Sequence, residues 1–379
     1  MDYGLVRYLE ENHIRLANTK EGDYLNLSIL DEDLKDKEIF LIGENHGVKA
    51  NAELRMEFFK YFKEKTDFKY YLCEIPYSMA YYLNLYLDTG DEGILKEIYM
   101  PLKGTDAYNK DDYEHWKEVY GFNMTLERDR RISVIGIDIE HQLDNAFKFM
   151  KDFPSVVGES KIIKGIDRGD KIIPDDELKS LCEGINERLN ESEGLCRDLL
   201  GESYLGFKHV NQNLLNMLEV YSSNNFNGVR DQKMYLNFIR LSERLPKGKF
   251  FGQIGLSHIF QRPFPYVNWF GAYLNDDKSK FKGKVLSIAY AYHNCSYLYP
   301  TIRKNYISSI DTLDLSIEEF KQFVSEGYTL FRLNGENSPF KEELIWPLVH
   351  KMPEKGVTTD YFQYLVIING SQAMEPLKL

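Results

Sequence analysis

Apolar residues gather in seven short runs rich in β-branched and aromatic side chains: KEIFLIG (37–43), FKYYLCEI (68–75), ISVIGIDI (132–139), KFFGQIG (249–255), KVLSIAYAY (284–292), YTLFRL (328–333) and YFQYLVIIN (361–369). Within these runs apolarity is continuous rather than alternating, the pattern of strands covered on both faces, as in a parallel sheet. Between them the period changes. In ANAELRMEFFKYFKEK, Leu54, Phe58, Phe59 and Phe62 fall on one helical stripe, and YSMAYYLNLYLDTG closes on Gly90, a residue suited to a helix C-cap. Such alternation with long crossovers predicts right-handed parallel units. From 142 to 247 the pattern is helical throughout, with KIIKG as the only ambiguous run. The expected fold is α/β: a largely parallel central sheet flanked by helices, with a helical insertion. Residues 1–141 and 248–379 supply the two parts of the α/β core, and 142–247 form the insertion, expected to lie over one edge of the site as a lid. There is no internal repeat and no low-complexity stretch.

Composition narrows what this fold can serve. The chain has 379 residues, with 27 Tyr and 23 Phe that suit a broad aromatic cleft as well as a core. Its net charge of −12 repels phosphate backbones and anionic membranes, so neither nucleic acid nor a membrane surface is an expected partner. No window approaches the about 20 apolar residues of a membrane span. The opening MDYGLVRYLEENHIRL has no long apolar run, so no secretory signal is expected. Four cysteines at 73, 182, 196 and 295 lack metal-site spacing and indicate a reducing, cytoplasmic setting. Cys73 reads as a buried hydrophobe, and Cys182 and Cys196 as solvated free thiols.

Polar residues at the ends of the apolar runs carry the candidate chemistry. GENHG places Glu44, Asn45 and His46 between Gly43 and Gly47, directly after one strand and before a helix. Ligands in open parallel sheets sit beyond the carboxyl ends of strands, and the two glycines are expected to admit one closely. FKYYLCEI delivers Glu74, ISVIGIDI delivers Asp138 followed by Glu140 and His141, and KFFGQIG is followed by Ser257 and His258. Any one of these is ordinary as a solvated loop charge; four equivalent positions point to a site. The loops at 101–112 and 261–271 are its candidate rims.

In this order the motifs resemble the erythromycin esterase-like proteins. GENHG followed by AELR matches the family's Gly-Glu, His-Gly and Glu-Leu-Arg. The Glu74 strand, ISVIGIDIEH with its Gly-x-Asp, the Arg-Asp-x-x-Met helix of VRDQKMYLNF and the late His of IGLSH follow in sequence. The match spans roughly residues 25–295. It implies a hydrolase that uses His46, without a metal or cofactor, to activate water for attack on a carboxylic ester, with Glu44, Arg55, Glu74 and His258 around it. A histidine is suited to proton abstraction at neutral pH. Glu74 is expected to orient the imidazole, and Arg55 to reach back to a carboxylate or a developing oxyanion. Arg230, Asp138 and His141 are expected to bind the small-molecule substrate. Antibiotic resistance is a role the resemblance brings into view, but specificity does not transfer with fold.

One departure bears on the site. The family commonly has two residues between Glu and His, whereas here only Asn45 intervenes, and at that spacing Glu44 is expected to turn away from His46. The shorter Glu-x-His is nearer to the ChaN-like haem- or iron-binding proteins, which lack the Arg-Asp-x-x-Met helix. Metal-dependent hydrolysis through His46, Glu74, His258 and Asp138 or His141 also stays open, since these are suitable ligand types. There is no GxSxG elbow, no phosphate loop and no HExxH. His13, His115, His209 and His350 read as surface or structural residues, and His293 as a weak site candidate. Arg230 and Asp231 are read as opening their helix, with Asp231 as its cap or Arg230 as an anion anchor.

Overall fold

The computed structural model describes residues 2–16, 26–153, 173–300, 304–325, 327–349 and 353–379. The fold is mixed α/β, with a mostly parallel central sheet flanked by helices. The strands are β1 (His13–Leu16), β2 (Ile39–Glu44), β3 (Tyr70–Pro76), β4 (Ser133–Asp138), β5 (Phe250–Gly255), β6 (Val285–His293), β7 (Cys295–Pro300), β8 (Asn305–Ile310), β9 (Gly327–Arg332) and β10 (Tyr364–Asn369). The helices are α1 (Tyr3–Glu11), α2 (Lys49–Thr66), α3 (Tyr77–Thr89), α4 (Glu92–Tyr99), α5 (Lys110–Thr125), α6 (Leu143–Lys151), α7 (Asp175–Glu191), α8 (Glu193–Leu200), α9 (Tyr204–Ser222), α10 (Phe226–Ser242) and α11 (Phe270–Leu274). These elements fall into two compact units: Met1–Leu72, Leu102–Ser133 and Arg244–Leu379 form the first, and Cys73–Pro101 with Val134–Glu243 the second.

In the first unit the strands run in the order β1-β9-β10-β6-β2-β5-β3. The pairs β10–β6, β6–β2, β2–β5 and β5–β3 are parallel, and β9 is antiparallel to both β10 and β1. All seven apolar runs form strands. The sequence did not signal β1, or the separate antiparallel hairpin of β7 and β8. HIRL is short and half polar, and CSYLYP and NYISSI mix small polar with apolar residues. The stripe of α2 packs on the sheet as its period requires: Phe62 stacks on Phe40 at 4.8 Å, and Phe59 meets Phe251 edge-on at 5.8 Å. Each of these fully buried rings contributes about 1.5–3 kcal/mol of burial.

In the second unit the end of β3 lies beside β4. Asn84 of α3 meets β4 as another strand would, its amide donating to Val134 O at 2.9 Å and accepting from Val134 N at 2.8 Å. Asn213 of α9 and Asn237 of α10 donate to the carbonyls of Asp138 (2.8 Å) and Ile137 (3.1 Å). Buried amides thus dock two helices on the end of one strand and satisfy carbonyls that burial would otherwise penalise. Among the described residues of 142–247 every element is helical, and KIIKG lies outside them.

Two expectations about this region are corrected. Cys182 and Cys196 are not solvated: both are free and buried, on the apolar faces of α7 and α8. Asp231 does not cap its helix. Helix α10 begins at Phe226, and Asn225 caps it by accepting from Gly228 N at 3.1 Å, which leaves Asp231 buried in the helix interior.

Candidate functional site

In the first unit β2 ends at Glu44, and Asn45, His46 and Gly47 turn the chain into α2. The turn is clamped from two sides. Gly47 O accepts from Leu298 N and Met374 N, both at 2.9 Å, while Lys49 N and Ala50 N donate to Gln372 O and Ser371 Oγ. Gly47 has φ +84°, and a Cβ there would lie 2.4 Å from Leu298 O. At Gly43 a Cβ would strike Ile259 at 2.7 Å. Both glycines therefore admit neighbouring chain, not the closely approaching ligand expected of them.

The shortened spacing does not turn Glu44 away. His46 Nδ1 donates to Glu44 Oε1 at 2.7 Å, and it is Glu44 that takes the orienting position proposed for Glu74. A carboxylate only accepts, so this bond puts the proton on Nδ1 and leaves the lone pair on Nε2. Glu44 Oε2 is held by Asn51 Nδ2, which also donates to Asn45 O at 2.7 Å. Asn51 Oδ1 accepts from the Tyr292 hydroxyl at 2.7 Å, and that hydroxyl accepts from Asn45 N at 3.0 Å. Asn51 and Tyr292 are fully buried, whereas the His46 side chain is 46% exposed. Burial, followed by the Glu44 charge, pushes the Tyr292 phenol well above its ordinary pKa, so it stays a donor.

Arg55, one face of α2 further on, donates to Asp112 Oδ1 at 2.6 Å rather than standing ready for an oxyanion. Burial works against its charge, but Asp112 outweighs that and Glu44 adds to it, so the guanidinium is held more firmly protonated than usual. Asn109, the N-cap of α5, donates to Asp112 Oδ2 at 2.6 Å. Burial raises Asp106 above the usual carboxylate range against the pull of His46. Asp106 and Asp112 both come from the loop 101–112 read as a rim. The second rim, 261–271, borders a cavity of about 800 Å³ lined by Arg262, Phe264, Asp276 and Asp360 among others. Asn51 and Tyr292 gave no sequence signal: one sits in a polar helix and the other in an apolar strand.

His258 lies in the turn Leu256–Ile259 after β5, buried with its ring edge-on to Trp269 at 5.9 Å. His13 bonds Leu9 O at 2.8 Å, and His115 is buried against Tyr71 at 3.0 Å, its charge disfavoured first by burial and then by Arg55. His209 is buried beside Tyr77, His293 pairs with Asp311 at 3.0 Å, and His350 lies outside the described residues.

The second unit holds the remaining candidates in one cluster. Arg230 donates from Nε to Asp138 Oδ1 at 3.0 Å and from Nη2 to Asp138 Oδ2 and to Glu74 Oε1, the last at 2.7 Å. His141 Nε2 lies 3.2 Å from Asp138 Oδ2. Burial would raise Asp138, but Arg230 and then His141 outweigh it and hold the carboxyl well below its usual range. Glu140, two residues on, has no ion pair with Arg230 among the described residues, and His141 lowers it only weakly. Burial pushes it up to about 7 although Ser78 donates to it from Oγ at 2.5 Å and from its backbone N. Among the described residues, no three His, Cys, Asp or Glu side chains are grouped to hold a metal ion. Nor is any described helix long and apolar enough to cross a membrane.

No protein-family model and no curated protein matches the sequence. Solved structures do match. A Bacillus cereus protein superposes with TM-score 0.70 at 17% identity, covering 99% of this chain and 98% of that one. A succinoglycan biosynthesis protein gives 0.71 at 15% identity over 98% of each chain. A mutant erythromycin esterase in its open conformation gives 0.62 at 14% identity, over 94% of this chain and 96% of that one. At these identities the likeness establishes the fold over nearly the whole chain.

Proposed function

We propose that this chain is an erythromycin esterase-like hydrolase in which His46 removes a proton from water as it attacks a carboxylic ester. The observation that carries the reading is the bond from His46 Nδ1 to Glu44 Oε1 at 2.7 Å. It fixes the imidazole in the tautomer whose Nε2 accepts a proton, and it places a carboxylate where imidazolium charge would develop. Asn51 and Tyr292 hold that carboxylate in place, and the motif series and the fold shared with an esterase support the assignment. A small-molecule ester is the substrate class, and four buried free thiols suit a cytoplasmic setting. The test is hydrolysis of a panel of carboxylic esters by wild type and His46→Ala. The variant should keep the wild-type melting temperature within about 2 °C, since the side chain is half exposed, and lose activity by roughly a hundredfold or more. Activity within a few-fold of wild type on every ester the protein cleaves would dismiss the assignment.

A further inference from the structure

We propose that Tyr221 is a second nucleophile of this chain, served by His141 and Asp138 within the second unit, and that it accepts the acyl group of an activated ester or thioester. Tyr221 lies at the end of α9 and is 57% exposed. Its hydroxyl is 2.9 Å from His141 Nδ1, and His141 Nε2 is 3.2 Å from Asp138 Oδ2. Asp138 can only accept, so Nε2 carries the imidazole proton and Nδ1 turns its lone pair to the phenol. Arg230 and Ile139 N (2.8 Å) keep the Asp138 carboxylate ionised and in place. Nucleophile, base and orienting carboxylate thus stand in hydrogen-bonded series, the arrangement by which a weak hydroxyl nucleophile is activated. The tyrosine ring is fixed as well, edge-on to His141 at 5.9 Å and against Phe226 at 5.4 Å.

In the reaction the Tyr221 oxygen attacks the acyl carbon while His141 takes the phenolic proton. The bond from the acyl carbon to the leaving oxygen or sulfur then breaks, and His141 returns the proton to that group. Water subsequently cleaves the aryl ester, releasing the carboxylic acid and restoring the phenol. Burial and the Asp138 charge both disfavour free phenolate, so reaction at Tyr221 has to run through His141.

The bland alternative is a surface hydrogen bond that ties α9 to the loop after β4. The two separate by labelling the full chain with 4-nitrophenyl acetate and mapping acetyl groups over its 27 tyrosines. Tyr221 should be acetylated at least about tenfold faster than the more exposed Tyr3 and Tyr266. The label should vanish in Tyr221→Phe, which keeps the ring contacts, and should fall to the rate of the control tyrosines in His141→Gln. Labelling should persist in His46→Ala, because the relay does not use that residue. Acetylation of Tyr221 no faster than Tyr3, or unchanged in His141→Gln, overturns the proposal. Loss of labelling in His46→Ala overturns its independence from the ester-hydrolysis reading.

Discussion

Glu44–His46 and Asp138–His141 are both carboxylate–imidazole pairs at strand ends, but their carboxylates rest on different supports. Glu44 is held by a neutral amide, Asn51, itself braced by the Tyr292 hydroxyl, with Arg55 acting on it only at a distance. Asp138 is clamped by the Arg230 guanidinium, which also holds Glu74. An amide fixes a carboxylate without cancelling its charge, so Glu44 keeps its field for an imidazolium on His46. A guanidinium shares the Asp138 carboxylate with His141, whose Nε2 the carboxylate also orients. The same pair of residue types thus rests on a neutral support in one unit and on a cationic one in the other.

The largest effect is expected at Arg230. Removing it takes the guanidinium from two carboxylates, Asp138 buried and Glu74 largely so, and Arg230→Ala should cost about 3–5 kcal/mol in denaturant unfolding. A loss under about 1 kcal/mol would mean that the clamp is not what keeps Asp138 charged.

Glu140 is close in sequence to Asp138 but, among the described residues, is not paired with a guanidinium. Its folded-state pKa of about 7 lies above its ordinary 4.5, so the fold favours the protonated carboxyl. That contribution is complete below 4.5 and is lost as pH rises through about 7. Glu140→Gln should therefore gain on wild type between about pH 4 and pH 8, by up to about 3 kcal/mol. A stability difference that is flat across this window would mean that burial does not raise Glu140 in the folded state.

In the first unit the support is neutral and the expected costs are smaller. Tyr292→Phe leaves Asn51 Oδ1 and Asn45 N short of a buried partner, a loss of about 1–3 kcal/mol. The proposed ester hydrolysis should slow with it at constant KM, because the Glu44–His46 pair loses its brace. Stability lost with kcat untouched would make Tyr292 a packing residue only.

Much of the fold was legible because continuous apolar runs have few other uses than strands covered on both faces. The elements that escaped, β1 and the β7–β8 hairpin, are short or mix polar with apolar residues, and their pairing depends on partners far along the chain. The candidate residues were legible by their position at strand ends, but their partnerships were not. Spacing alone turned Glu44 away from His46, whereas Asn51 and Tyr292, from α2 and β6, hold it toward the imidazole. Arg55 carried no mark of Asp112, because the pair closes across 57 positions of sequence. Glycines at 43 and 47 signalled close approach correctly but not what approaches, which is the protein's own chain.

Glu44 holds His46 with its proton on Nδ1 and its basic lone pair on Nε2. Nitrogen-15 NMR of imidazole-labelled protein, recorded at alkaline pH and assigned with His46→Ala, reads the tautomer directly. An Nδ1–H tautomer is expected for His46, shifting toward the usual Nε2–H preference of free histidine in Glu44→Gln. An Nε2–H tautomer in the wild-type protein, or one indifferent to Glu44→Gln, would contradict it.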